Sequence, residues 1–209
     1  MRRGCLAIKR AIDFLAAAAG LALLGIPMVL IGLGIALRMG RPVLFRQERP
    51  GRGDISFRMF KFRTMTDARG PDGKLLPDRE RLTRLGTFLR QTSLDELPEL
   101  INVLRGDMSL VGPRPLLMRY TPYFTREERL RLTMRPGITG LAQISGRNLV
   151  SWDDRLALDV RYVRGWSLWL DCRILALTFG RVFSRGGVVV DAESVMRNLD
   201  DERRDRAAS

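Results

Sequence analysis

The sequence predicts an α/β fold that is mostly α. A re-entrant membrane helix-hairpin occupies residues 1–40, and a small cytosolic domain with a short β-hairpin follows. Three observations lead there. Leu15 to Leu37 is a run of 23 residues without a charge, and Pro27 sits near its middle. Basic residues flank the run on both sides: Arg2, Arg3, Lys9 and Arg10 before it, Arg38, Arg41, Arg46 and Arg49 after it. Behind it, one strand-like segment of alternating character precedes several segments with helical periodicity.

The apolar run is long enough to cross a hydrocarbon core of roughly 30 Å as a helix. Lys and Arg mark the cytoplasmic side of a membrane segment, and here both ends carry the mark. A segment that enters and leaves by one face resolves this, with the bend at Ile26-Pro27. Proline in a helix interior removes a hydrogen bond and clashes with the preceding turn, at about 3 kcal/mol. Length alone equally admits a bitopic span. A cleaved signal peptide fits poorly, because no small-residue cleavage site precedes Arg38.

Arg2 to Arg10 reads as a basic amphipathic lead-in. Val43 to Phe45 predicts a short strand, residues 50–54 a turn, and Ile55 to Met65 a second strand that pairs with the first. Ala68 to Asp78 is a polar loop. Leu82, Leu85 and Leu89 place one face on a helix over Asp78 to Arg90. A second helix is expected over Leu94 to Leu104, with Ser93 as its cap and Glu96 three residues on, the capping-box spacing. Ser109 to Pro115 reads as a loop, Thr125 to Met134 as a charged helix, and Arg135 to Asn148 as a glycine-rich loop or short strand. Trp152 to Val163 and Ser167 to Phe183 are two further helices. The domain so outlined covers residues 41–188, and 189–209 is a charged tail expected to fray.

Lys plus Arg number 36 against 23 acidic residues, a net charge of +13. Such an excess suits nucleic acid, an anionic phospholipid membrane or phosphorylated substrates. No recognition-helix pattern, zinc finger or interleaved aromatic patch favours nucleic acid. Histidine is absent, which excludes imidazole bases and His-containing zinc sites. Cys5 and Cys172 make neither a disulfide framework nor a metal cluster.

Chemistry must then come from carboxylates and cations. Asp95-Glu96 sits at a helix start, where acids also serve simply to complement the helix dipole. Lys61 and Arg63 share one strand face by the period of two. Gly112-Pro113-Arg114-Pro115 stiffens the backbone around one guanidinium, a group whose fork suits phosphate. Arg135-Pro136-Gly137-Ile138-Thr139-Gly140 and Gly146-Arg147-Asn148 supply glycine for close backbone approach. Together these describe a phosphoryl-transfer site, with cations for phosphates and a carboxylate that attacks or binds metal.

In this order the motifs closely resemble those of the bacterial sugar transferases, the monotopic polyprenyl-phosphate phosphoglycosyl transferases. The resemblance runs from about Lys9 to Val188. It is to the minimal form, similar to the family member of N-glycan assembly, without the extra membrane helices of larger relatives. The resemblance implies an enzyme on the cytoplasmic face of the bacterial inner membrane. It would move a phosphosugar from a UDP-sugar to undecaprenyl phosphate with Mg²⁺, through a covalent intermediate on Asp95. Asp95 would also contact the metal, with Glu96 as its dyad partner. Lys61, Arg63, Arg90, Arg114 and Arg147 would face phosphates or nucleotide, and Asp159 would join them. It further implies that helices such as Ser167 to Phe183 lie at the membrane interface. Many relatives place Ser before the membrane proline, where Ile26 stands here. A catalytically inactive membrane scaffold and a membrane-anchored nucleic-acid binder are the competing readings. The sugar, the pathway and the oligomeric state, a homo-oligomer included, stay open.

Overall fold

The computed structural model describes residues 3–145, 151–183 and 197–208. Its first element is α1 (Arg3–Met39), a 37-residue helix. The sequence predicts two arms about Ile26-Pro27, whereas one helical element continues through both residues. A proline deletes a single N–H donor, and the turns on either side keep their own bonds.

α1 presents one face to the rest of the chain along its whole length. Lys9, Asp13, Ala17 and Ile35 are buried on that face. On the other, Leu15, Leu23, Ile26, Leu30, Leu33 and Leu37 are exposed, at intervals of three, four or seven to eight residues. Leu23 is 80% exposed and Ile26 76%, so large apolar side chains stand in contact with no protein. The helix is long and apolar enough to cross a membrane.

β1 (Leu44–Pro50) and β2 (Ser56–Phe62) form the expected antiparallel hairpin, Leu44 opposite Phe62 and Pro50 opposite Ser56. The helix predicted over residues 78–90 is split. α2 (Asp78–Arg81) is a single turn, Leu82 is extended, and α3 (Arg84–Gln91) starts afresh. Thr83 is the reason: its hydroxyl accepts from the Gly86 N–H at 2.9 Å and caps the new helix.

The helix predicted from Leu94 is split as well. Leu94–Glu96 is a 3₁₀ turn, and α4 (Glu99–Arg105) follows Pro98. Ser93 adopts a left-handed conformation, φ 57°, and its side chain caps nothing. The capping box does not form because Glu96 turns away to two cations, described below. Asn102, fully buried on α4, locks that helix to β2. It accepts from the Phe60 N–H and donates to the Arg58 carbonyl, at 3.0 and 2.8 Å.

The segment expected to be a loop at Ser109 contains β3 (Ser109–Val111), which pairs in parallel with β4 (Gly137–Thr139). Glycine makes this pairing possible. A Cβ on Gly137 would lie 2.0 Å from the Gly112 nitrogen, and one on Gly140 would lie 2.2 Å from the Gly112 oxygen. The Gly-Pro-Arg-Pro loop and the Arg-Pro-Gly segment therefore touch through bare backbone. Between them, 3₁₀ turns occupy Met118–Tyr123 and Glu128–Thr133. The latter replaces the α-helix predicted over Thr125 to Met134.

α5 (Leu141–Ser145) is a short helix inside the segment read as a glycine-rich loop or short strand, and α6 (Trp152–Arg164) and α7 (Leu168–Phe183) are the two expected helices. The last residues do not fray. α8 (Leu199–Ala208) is a docked helix with Leu199 fully buried against Tyr120, Trp152 and Leu156. Ion pairs hold its charged surface down: Arg203 meets Glu128 and Asp153 at 2.7 and 2.6 Å, and Arg206 meets Asp153 at 2.7 Å. Charge density suggested solvation, but the partners come from distant elements that sequence order hides.

Candidate active site

A cavity of about 1510 Å³ opens between the β-hairpin, the Leu94–Glu96 turn, the Gly-Pro-Arg-Pro loop and the flanks of α1 and α7. Its wall combines two chemistries. Asp95, Glu96, Lys61, Arg90 and Arg114 form a charged part, while Gly20 and Leu24 of α1 and Leu175 and Phe179 of α7 form an apolar part. A ligand with a charged head and an apolar tail matches both.

Glu96 organises the charged part. Its Oε1 accepts from the Lys61 ammonium at 2.6 Å and from the Arg114 guanidinium at 2.7 Å. Burial alone would raise the Glu96 carboxyl, but Arg114 and Lys61 outweigh it and hold the group well below the usual carboxylate range. Glu96 in turn raises Arg114 above the usual guanidinium value, against the opposing effect of burial. Glu96 is thus an anion clamped between Lys61 and Arg114.

Asp95, its neighbour, is different. It is only 9% exposed, yet none of the described side chains hydrogen-bonds or ion-pairs with its carboxylate. Burial raises its pKa, the Glu96 charge adds to that, and Lys61, Arg90 and Arg114 pull the other way. A carboxylate of higher basicity with free lone pairs faces the cavity, and cations nearby can receive the charge of an incoming phosphate.

Arg90 lies in the cavity wall, with its Nε donating to the Thr64 hydroxyl at 3.1 Å. Arg63 also reaches the cavity, but its guanidinium is committed to structure. It donates to the carbonyls of Met65, Met39 and Arg41 and pairs with Asp67, so it caps the end of α1. Asp159 is fully buried and ion-paired to Arg131 at 2.8 Å. Arg131 donates from the same nitrogen to the Arg114 carbonyl at 2.6 Å. Asp159 therefore supports Arg114 from behind. Arg147 lies outside the described residues.

Sequence reasoning passed over Arg131, Glu99 and Arg49. Arg131 carried no motif signal, since it is one arginine among many in a charged segment. Glu99 is 2% exposed and its carboxylate lies 3.2 Å from the Lys61 ammonium, so Lys61 bridges two acids. Burial and the Glu96 charge push Glu99 up to about 7, with Lys61 and Arg114 opposing. The Glu96 to Glu99 spacing, one turn apart, was the available signal.

A family model described as bacterial sugar transferase matches residues 5–185. The chain belongs to the bacterial sugar transferase family. Known relatives bear this out. This sugar transferase is 48% identical over 181 residues to the uncharacterized sugar transferase EpsL of Bacillus subtilis (strain 168), covering 87% of this chain and 90% of that protein. It is 43% identical over 180 residues to the UDP-glucose:undecaprenyl-phosphate glucose-1-phosphate transferase of Caulobacter vibrioides, covering 81% of this chain and 67% of the relative. The galactosyl transferase CpsE of Streptococcus agalactiae is 41% identical over 184 residues, covering 81% of this chain but 41% of that longer protein.

The unusual proton on Glu99 gives a measurable consequence. A carboxyl whose folded pKa lies above its ordinary value of 4.5 favours folding below that value. That contribution is lost as pH rises towards 7, because the unfolded chain then binds fewer protons than the folded one. Glu99→Gln is neutral at every pH. Thermal unfolding of the variant relative to the parent chain should therefore shift in favour of the variant between about pH 5 and pH 8. A pH-independent difference would mean that Glu99 is ionised throughout.

Proposed function

We propose that this sugar transferase moves a phosphosugar from a UDP-sugar to undecaprenyl phosphate and releases UMP, through a covalent phosphosugar on Asp95. The observation that carries the reading is the contrast within the dyad: Glu96 is clamped by Lys61 and Arg114, while Asp95 is buried and unpartnered beside it. The name of the Caulobacter relative supplies the substrate class. The reaction is the first membrane step of a bacterial glycoconjugate pathway, whether exopolysaccharide, capsule, O-antigen or glycoprotein glycan.

In the first step an Asp95 carboxylate oxygen attacks the sugar-bearing β-phosphorus. The bond from that phosphorus to the bridging oxygen breaks, and UMP leaves with the electron pair. In the second step a phosphate oxygen of undecaprenyl phosphate attacks the same phosphorus. The acyl-phosphate bond breaks, Asp95 is regenerated, and the product is the undecaprenyl diphosphosugar. Glu96 does not attack in this scheme. It fixes Lys61 and Arg114, which carry the charge that builds on the phosphoryl oxygens.

The donor set suits Mg²⁺. Among the described residues no cluster of three metal-ligating side chains exists. Mg²⁺ needs none, since it keeps several waters and binds through one or two carboxylates plus substrate phosphates. Asp95 would hold it, and the ion would neutralise part of the diphosphate charge.

The membrane reading is monotopic, on the cytoplasmic face. Lys9 of α1 bonds to the Val111 carbonyl and Asp171, and Arg10 to the carbonyls of Val103 and Leu104. Ile35, near the other end, packs with Phe62 and Leu89. Lys9 and Ile35 are 26 residues apart, a rise of about 39 Å in a straight helix. A bitopic span would carry Lys9 to the far side of the bilayer, away from every one of these partners. Re-entrance with a bend near Pro27, the exposed stripe of α1 in lipid and the exposed face of α7 with Trp169 and Phe179 at the interface keeps all of them.

Asp95→Asn keeps the shape and removes the attacking charge, and UMP release should fall by about 10³-fold or more, the scale of nucleophile loss. Incubation of the parent chain with the cognate UDP-sugar alone should leave a phosphosugar mass on the Asp95 peptide. Near-normal turnover of the variant would end the covalent mechanism.

Excess EDTA should abolish UMP release and Mg²⁺ restore it. Full activity in the chelator would remove the metal from the reaction.

Topology is open to cysteine labelling. In a Cys172→Ser chain, Cys5 of intact cells should resist an impermeant maleimide until the membrane is opened, with a denatured control for burial. Labelling from outside would establish a bitopic span.

A further inference from the structure

Arg49 stands in the cavity wall without an ion-pair partner, although the charge of Glu99 favours its charged form. It is the sixth residue of β1, opposite Phe57. Strand alternation puts it on the same face as Gln47, while Glu48 points to the other face. Its Nη2 donates to the Gln47 amide oxygen at 2.5 Å, and its Nε is buried without an acceptor. Among the described residues no carboxylate comes within ion-pairing distance of it. Four other cavity cations are ion-paired: Lys61 with Glu96, Arg63 with Asp67, Arg81 with Asp78 and Arg114 with Glu96, while Arg90 donates to the Thr64 hydroxyl and Arg46 lies over the Phe60 ring.

Arg49 is half-buried, and a partly desolvated cation without an ion-pair partner is costly, so its surroundings are complete only when an anion arrives. The surroundings also disfavour the charge in the empty cavity. Burial, and next the charge of Arg114, lower Arg49 to about 10, so it is still charged at neutral pH. Two guanidinium groups that repel one another across a cavity wall are drawn together by a shared phosphate, whose oxygens accept from both. The uncharged Gln47 holds one nitrogen in place and leaves the charge unneutralised, where an acid would have ended its call on a ligand.

We propose that Arg49 is a phosphate-binding residue that forms one subsite with Arg114. The identity of the phosphate rests on the transfer reading above. It belongs either to the diphosphate of the nucleotide sugar or to the monoester of the prenyl acceptor. The chemistry of recognition is the same in both.

Full-length parent chain, Arg49→Gln and Arg49→Lys in detergent separate the cases. Calorimetric titration with UDP, and steady-state kinetics with UDP-glucose and undecaprenyl phosphate varied in turn, are the readouts. Arg49→Gln should lose about tenfold in one of these constants, the worth of a charge-assisted phosphate contact, and Arg49→Lys should recover part of it. A loss in UDP affinity and in the UDP-glucose KM assigns the subsite to the donor. Intact UDP binding with a raised KM for undecaprenyl phosphate assigns it to the acceptor. Without ligand, Arg49→Gln should melt at or above the parent temperature, because an unanswered buried charge is gone. A lower melting temperature with unchanged UDP affinity and unchanged KM values would overturn the proposal and leave Arg49 a structural residue. If UDP binds in an Arg49-dependent way but no sugar donor yields UMP, the transfer reading fails and the phosphate subsite stands. If UMP is released and every constant is the same within about twofold in Arg49→Gln, the subsite fails and the transfer reading stands.

Discussion

One carboxylate shared by two cations decides the architecture of the site. Glu96 receives Lys61 from β2 and Arg114 from the loop after β3, both below 3 Å. Those three residues belong to segments that are separated by tens of positions in sequence. Bringing them together fixes the turn from Leu94 to Glu96 in space. It also explains why that turn does not begin an ordinary capped helix: the side chain that would close the capping box is engaged elsewhere. Asp95 is left pointing into the cavity without a partner because its neighbour has taken the cations. Breaking a buried pair of this kind by removing one member leaves an uncompensated charge, so each partner protects the other two.

Behind this clamp lies a support for the Arg114 backbone. Asp159 pairs with Arg131, and Arg131 reaches the Arg114 carbonyl. The parallel pairing of β3 with β4 brings Gly112, Gly137 and Gly140 into backbone contact. The two prolines beside Arg114 remove backbone freedom, and the glycines remove the side chains that would block the approach. Arg114 is held in this way by rigid surroundings.

α1 applies a different constraint to the same domain. Its inner face is anchored by ions at the start and by apolar packing at the end. Lys9 enters a buried network with Asp171, Tyr162 and the Val111 carbonyl, and Tyr162 also donates to Asp171 at 2.7 Å. Its outer face is a stripe of exposed aliphatic side chains of the kind found at membrane or protein contact surfaces. The cavity lies between the charged centre and this helix, so a substrate head and its hydrocarbon tail can be bound by one continuous wall.

Much of this was legible in the residues themselves. The apolar run, its proline, the β-hairpin, the two helices between Trp152 and Phe183 and the candidate dyad with Lys61, Arg90 and Arg114 all follow from local pattern or motif order. Local pattern is strong where one segment's own periodicity or charge settles its form. It was silent on three matters, each for the same reason. The capping box at Ser93 and Glu96 was a sound local rule defeated by distant cations. The tail at residues 199–208 reads as solvated charge until Glu128 and Asp153 are found beside it. Arg63 and Asp159 carry the right residue types for substrate contact, yet carbonyls at the end of α1 and Arg131 have claimed them. Sequence by itself determined which groups the chain possesses and which segments are helical, apolar or stiff. Tertiary structure alone decided which charges are already answered and which, like Asp95 and Arg49, have no ion-pair partner among the described residues, because ion pairing depends on distance in space and chain order does not contain it.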